Sequence, residues 1–266
     1  HGGWVYDDAG SVIKNVVVNG MVDWKEAFTR DFWGTEMKDV QSHKSFRPLT
    51  TLTLKANYVF AMKYKDPEEK HPESHSFRVV NVFLHGIVTA LITEATAYIL
   101  PYDVISQLIV GFLFGLHPVH AEVVSNVTSR GEMLMSCFFL LAFLSYASSL
   151  EDNNNSNSRL RSFFGLYVFP WLGMTMSLFS KEQGATALIT VVAYDFLKNH
   201  GNLQVLWNKL VQREPDAFSF LKRAVILAIQ TVSVVVWRQY LNGETSPDFI
   251  EAQNPAGFAK DRFSRA

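Results

Sequence analysis

The residues with the most chemistry in them fall in four short groups. Asp7-Asp8 follows Trp4-Val5-Tyr6 and sets two carboxylates side by side. Such a pair suits proton transfer, one acid acting as base while its neighbour orients it. A surface Asx turn is the plain alternative. Ser42-His43-Lys44-Ser45-Phe46-Arg47-Pro48 gathers two hydroxyls and three potentially cationic side chains. A phosphate at a membrane surface would find a point charge in Lys44 and a bidentate fork in Arg47, with His43 in support. Contact with anionic lipid heads would use the same residues.

The third group, residues 116–132, carries His117, His120, Glu122, Arg130 and Glu132 between two apolar runs. The fourth is Ser180-Lys181-Glu182-Gln183-Gly184, again beside apolar sequence. Ionisable residues at the ends of membrane helices are costly, so they mark candidate sites. Arg130 is a further candidate for a phosphate, although pairing of Arg130 with Glu132 is the structural alternative. His117, His120 and Glu122 lie at i, i+3 and i+5, which is not the single helical face of His-Glu-x-x-His, and a fourth ligand is missing. Hydrogen bonding to a polar substrate or to other site residues fits this group better than a metal.

These groups need elements to hold them. The chain is 48% hydrophobic and 14% aromatic, with 21 Phe and only 18% charged residues, against about 25% charged in soluble domains. A net charge of −1 argues against nucleic acid as a partner, since phosphate backbones call for a basic surface. The single Cys137 allows no intrachain disulfide or paired-thiol chemistry. Apolar segments at about 79–100, 104–116, 133–150, 163–180, 184–198 and 224–241 predict an all-α polytopic membrane protein. Several fall short of the roughly 20 residues that span a bilayer, so helices are expected to extend into their polar flanks. Within segment 79–100, Asn81, His85 and Glu94 fit interhelical hydrogen bonding as well as chemistry.

Residues 1–76 read as a polar loop, 77–241 as about six membrane helices, and 242–266 as the start of another loop. In the first loop, Asp23 and Glu26 have capping-box spacing, predicting a short helix to about Arg30. Pro48 opens a second helix whose Leu49, Leu52, Ala56, Val59 and Met62 recur at three or four residues. That stripe predicts an amphipathic helix in the membrane interface, or else the core helix of a small soluble domain.

Orientation follows from the short loops. The connections near 101–103, 151–162 and 199–223 and their ends hold Arg159, Arg161, Lys198, Lys209, Arg213, Lys222 and Arg223, while 117–132 and 181–183 hold only Arg130 and Lys181. The basic side is expected to be cytoplasmic, which places all four groups on the lumenal face. Asn153 to Ser158 then forms a cytoplasmic linker whose sequon at Asn154 stays unmodified, and the Asn126-Val127-Thr128 sequon lies too near the membrane for modification.

With these motifs in place, the chain resembles the transmembrane and TPR repeat-containing family of protein O-mannosyltransferases. The resemblance rests on Tyr6-Asp7-Asp8, Asp31-Phe32-Trp33-Gly34, Ser42 to Thr50, Asn81-Val82-Phe83-Leu84-His85, Leu116 to Glu122, Ser129-Arg130-Gly131-Glu132, Ser180 to Gly184 and Ser246-Pro247-Asp248-Phe249. It implies a C-type glycosyltransferase fold in the endoplasmic reticulum membrane and mannose transfer from dolichyl phosphate mannose to Ser or Thr of cadherin-like domains. It implies no metal and no cofactor, the lipid-linked sugar being a substrate. It further implies that the chain is a fragment, with a membrane helix before Tyr6 and later helices and a TPR array beyond it. The family's first-loop carboxylate falls on Asp7, then Asp8, and donor phosphate contacts on Lys44, Arg47 and Arg130. His43, His117, His120, Glu122, Glu132, Lys181 and Glu182 become supporting polar residues. Arg78 departs from the family pattern, which has His or a neutral residue there. A transporter, or a scaffold that displays repeats, remains the competing class.

Overall fold

The computed structural model describes residues 3–5, 7–101, 103–152 and 159–242. The Asn153 to Ser158 run, Tyr6 and the Ser246-Pro247-Asp248-Phe249 motif lie outside them. Among the described residues the secondary structure is helical apart from one isolated bridge between Arg30 and Glu36. The helices are α1 (Pro48–Met62), α2 (His75–Ile99), α3 (Val104–Leu116), α4 (His120–Ser125), α5 (Arg130–Asp152), α6 (Arg159–Phe163), α7 (Phe169–Ser180), α8 (Ala187–Asn199), α9 (Leu203–Val211) and α10 (Pro215–Asn242).

Among the described residues, four helical stretches are long and apolar enough to cross a membrane: His75–Ile99, Val127–Glu151, Arg159–Ser180 and Pro215–Leu241. The chain is a multi-pass membrane protein. The other two apolar segments form α3 and α8, of 13 residues each. At 1.5 Å per residue these reach about 20 Å, short of a hydrocarbon core about 30 Å thick. Both still run with the bundle. His85 near the start of α2 meets the Gly115 carbonyl near the end of α3 at 3.2 Å. Tyr194 in α8 reaches the Tyr98 carbonyl at the far end of α2.

Polar contacts therefore collect at two opposite ends. One end holds the starts of α2 and α5 and the finishes of α7 and α10, joined through Arg130, Glu182 and Arg238. The other holds a buried network in which Arg223 donates to both Asp195 oxygens (2.8 and 3.0 Å) and to Tyr146. Between them lies an apolar core that includes Phe143, Met174, Leu178, Leu188, Val191 and Leu227. Gly184 is what lets the turn after α7 fold back, since a Cβ there would lie 2.3 Å from the Ser177 carbonyl carbon.

The first 76 residues share a core with the start of α2 and the turn before α5. Val12, Val18, Phe32, Leu54, Tyr58, Phe77 and Val127 form one buried cluster. Its polar motif residues are largely staples of that loop. Asp31 accepts from the backbone of Trp33, Thr35 and His43 and from the Ser42 hydroxyl. The predicted capping box is half formed: Asp23 accepts from the Lys25 N–H at 2.9 Å, but the Glu26 side chain turns to Thr29 and Arg30. The result is a 3-10 turn over Trp24–Phe28, shorter than expected.

Helix α1 begins at Pro48 as predicted, but its apolar stripe is not the face buried in the protein. Thr50, Leu54, Asn57, Tyr58 and Ala61 face inward, while Ala56 and Val59 are exposed. The inner face is partly polar because it serves the bundle's polar groups: Thr50 donates to the Ser180 carbonyl and Asn57 accepts from Arg130. The stripe itself is mixed in exposure: Leu49, Leu52 and Met62 are half-buried, and Met62 packs against the first-loop cluster.

Candidate functional site

A single helical turn carries Asp7 and Asp8 into a π-helical stretch, Ala9–Ile13. Val12 anchors the stretch beside Val127 in the shared core. Successive helical residues point about 100° apart, and the two acids divide accordingly. Asp7 is exposed, whereas Asp8 is only 2% exposed. Both line a pocket of about 510 Å³ together with Arg78, Glu122, Ser125 and Asn126. The structure thus unites Asp7, Asp8 and Glu122, from opposite sides of a gap of more than a hundred residues. The arginine that departs from the family pattern joins them. Arg78 stands in the first turn of α2, where its guanidinium donates to the carbonyls of Gly3 (2.8 Å) and Ser125 (3.1 Å). Those bonds orient it on the wall shared with a second cavity, of about 480 Å³, that also holds Lys70, His71 and His75.

The other cations expected at a phosphate do not line the acidic pocket. Lys44 is 7% exposed, sits at φ +56° and donates to the Met37 and Asp39 carbonyls at 2.5 and 3.1 Å. A left-handed non-glycine residue held this way ties a loop together. Arg47 forks onto Glu182 at 2.8 and 3.1 Å, and Arg238 takes the other Glu182 oxygen at 2.9 Å. Burial alone would raise the Glu182 carboxyl, but the charge and hydrogen bonds of Arg47, aided by Arg238, hold it below the usual carboxylate range. Burial, with Arg47 nearby, pushes Lys181 below the ordinary lysine range.

Arg130 is fully buried, yet it does not pair with Glu132. Its guanidinium donates to the Asn81 and Asn57 side chains and to the Thr53 and Phe77 carbonyls. Glu132 pairs instead with Lys181. The charge of Arg130 is met by dipoles from α1 and α2, so the residue joins three helices at the site end. That corrects the expected Arg130–Glu132 pair: helical residues two apart point away from each other.

His43 lies against Trp33, with ring centroids 6.0 Å apart, and outside the acidic pocket. His120 places Nδ1 2.7 Å from the Phe114 carbonyl, and its ring is 5.2 Å from His85 and 5.9 Å from His117. His117 Nδ1 accepts the Val119 N–H. Each ring is thus engaged with the backbone at the α3–α4 corner. Among the described residues, no group of three His, Cys, Asp or Glu is placed to hold a metal ion.

Two further residues tie the site together, of which the sequence pattern singled out Asn81 but not Thr128. Thr128, met there only as part of a sequon, donates through both N–H and Oγ1 to Asp8 Oδ1 at 3.2 and 3.3 Å. Asn81 links Arg130 to that turn by donating to the Asn126 carbonyl at 3.1 Å. A polar residue inside an apolar helix was the available signal for Asn81, and nothing in the spacing marked Thr128.

Fold and site together define a multi-pass membrane protein with an acidic, arginine-walled pocket at one end of its helices. Comparison with known proteins narrows this class: the chain matches a fragment of the TMTC family of protein O-mannosyl-transferases. It is 30% identical to Protein O-mannosyl-transferase TMTC4 of Mus musculus, over 100% of this chain and 37% of that protein. It is 32% identical to Protein O-mannosyl-transferase TMTC3 of Homo sapiens, over 96% of this chain and 27% of that protein. It is 30% identical to Protein O-mannosyl-transferase F38B6.6 of Caenorhabditis elegans, over 99% and 33% respectively. The chain therefore spans about a third of the length of these relatives. No family model matches it, and no solved structure does.

Proposed function

We propose that this chain is the donor-handling membrane portion of an enzyme that moves mannose from dolichyl phosphate mannose to Ser or Thr hydroxyls of secretory-pathway proteins, cadherin-like domains among them. Its fold is of the C type of glycosyltransferase, and the pocket opens to the lumen of the endoplasmic reticulum. The observation that carries this reading is the shared pocket of Asp7, Asp8, Glu122 and Arg78 at the end of the membrane helices. The names of the relatives support the reaction class.

Asp7, the exposed acid, takes the proton of the acceptor hydroxyl. The hydroxyl oxygen then bonds to the anomeric carbon as that carbon's bond to the phosphate oxygen breaks. The electron pair leaves on the lipid phosphate, and the Arg78 guanidinium meets that developing charge. A single displacement of this kind inverts the sugar carbon. Lys44, Arg47 and Arg130 hold the scaffold on which these groups sit.

The test uses the full-length protein in membranes, supplied with dolichyl phosphate mannose and an acceptor domain. Asp7→Asn is expected to lower turnover by about 10²–10⁴-fold, the usual worth of a positioned base. A full rate in both Asp7→Asn and Asp8→Asn would exclude these acids as the base and favour a scaffold that displays repeats.

A further inference from the structure

Asp8 lines the same pocket as Asp7 but is only 2% exposed, and it is held from a distant part of the chain. Its Oδ1 accepts two bonds from Thr128, 120 residues later in the chain. Thr128 is itself fixed from three directions. Its N–H also reaches Asn126 Oδ1 at 2.9 Å, and its hydroxyl lies 3.1 Å from the Ser11 hydroxyl. Asn81 holds the Asn126 carbonyl, and the fully buried Arg130 holds Asn81 at 3.1 Å. A continuous hydrogen-bonded chain thus runs from Arg130, at the junction of three helices, to the turn that carries Asp7.

We propose that Thr128 is a positioning residue: it latches Asp8 and, through that latch, aims Asp7 into the pocket. This rests on the proposed role of Asp7 as base. Asp7 precedes Asp8 on the same helical turn, so rotation of Asp8 about the turn moves Asp7 with it. Val12 and Val127 belong to one buried apolar cluster, which brings the two segments together without fixing the rotation of the turn. The two hydrogen bonds supply that rotation. In the same turn the half-buried Asn126 caps the Thr128 N–H with its Oδ1.

In the full-length protein, Thr128→Val is expected to lower kcat by about 10–100-fold with the donor KM unchanged, as for a misaimed catalytic group. Thr128→Ser, which keeps the hydroxyl, restores most of the lost rate. Asp8→Asn keeps an acceptor oxygen and loses less than Asp8→Ala. The double variant Asp8→Ala with Thr128→Val is no slower than Asp8→Ala alone, because the hydroxyl bond that Thr128→Val removes is already lost with the Asp8 carboxylate. The proposal is overturned by a wild-type kcat in Thr128→Val, by a Thr128→Ser variant as slow as Thr128→Val, or by additive losses in the double variant. An Asp8→Asn variant as slow as Asp8→Ala also overturns it, since charge and not hydrogen-bond acceptance would then matter. A full rate in Asp7→Asn is a separate failure, of the base assignment alone.

Discussion

Arg47 and Glu182 lie 135 positions apart in sequence and meet as a bidentate ion pair, 2.8 Å from Nη2 to Oε2. The contact pins the start of α1 to the turn after α7, and Arg238 brings the end of α10 to the same carboxylate. Three elements with no sequence proximity thus share one half-buried anion. Glu182→Gln leaves two half-buried guanidinium groups without a charged partner and is expected to cost about 1–3 kcal/mol. A lower unfolding temperature in detergent would register it, whereas unchanged stability would mean that the three contacts contribute nothing.

The same carboxylate makes that stability depend on pH. Its folded pKa lies below the ordinary value, which is about 4.3 for a free glutamate. A depressed acid stabilises the folded state above its unfolded pKa and loses that contribution as pH falls through the folded pKa. The stability gap between the parent protein and Glu182→Gln is therefore expected to be full at neutral pH and to shrink below about pH 4.3. Unfolding curves for both proteins from neutral to acid pH measure the gap, and a gap that widens on acidification would reverse the sign.

Much of this was legible in sequence, and the remainder has identifiable causes. Apolar runs located the four helices long enough to cross a membrane, but the other two of the six expected, at 104–116 and 184–198, form helices of only 13 residues. The acids at Asp7 and Asp8 were legible as chemistry by type alone. What sequence could not supply was partnership. Lys44 and Arg47 look like phosphate ligands because cations near hydroxyls do so in any order of folding. In space one is spent on backbone carbonyls and the other on Glu182. Arg78 departs in type from the expected pattern, and only the fold shows that it lies on the pocket wall. The stripe on α1 left two readings open because apolar periodicity marks a face without saying whether lipid or protein covers it.

Backbone crowding gives an independent check on the fold at the site end. Alanine at Gly184 would place its Cβ 2.4 Å from the Leu178 amide nitrogen and 2.3 Å from the Ser177 carbonyl carbon. Backbone atoms cannot yield as a side-chain end can, so Gly184→Ala must displace the turn that carries Lys181 and Glu182. Overpacking of this kind typically costs about 1–3 kcal/mol. Thermal unfolding of the variant is expected to fall accordingly, and a parent-like curve would contradict the close approach.

Placement of the two polar ends across a membrane is open to chemical labelling. Ser45 lies in the first loop beside Phe32, whose N–H donates to its carbonyl, and Lys209 lies in α9 at the opposite end, paired with Asp216. Cysteines at these two positions in the full-length protein are expected to react with a membrane-impermeant maleimide from opposite sides. Labelling of both from the cytosol would place the acidic pocket on the wrong side for a lumenal acceptor.

Arg78 offers the sharpest separation between a cation that handles the donor and cations that hold the fold. It borders both the acidic pocket and the cavity of Lys70, His71 and His75. A phosphate leaving from the sugar would lie within reach of its guanidinium while the acids face the acceptor. Removal of one charge-assisted hydrogen bond costs about 1.5–3 kcal/mol, or about 10–100-fold in donor use by the usual conversion. Arg78→Ala is therefore expected to lower kcat/KM for dolichyl phosphate mannose by that factor in the protein that remains folded. Arg78→Lys should recover only part of the loss, because an ammonium cannot present the planar fork. Lys44→Ala is expected to show the opposite pattern, losing stability through the freed Met37 and Asp39 carbonyls while the surviving folded protein keeps its donor kinetics. If Lys44→Ala alone weakens donor use and Arg78→Ala does not, the phosphate sits by the first loop instead of at the start of α2.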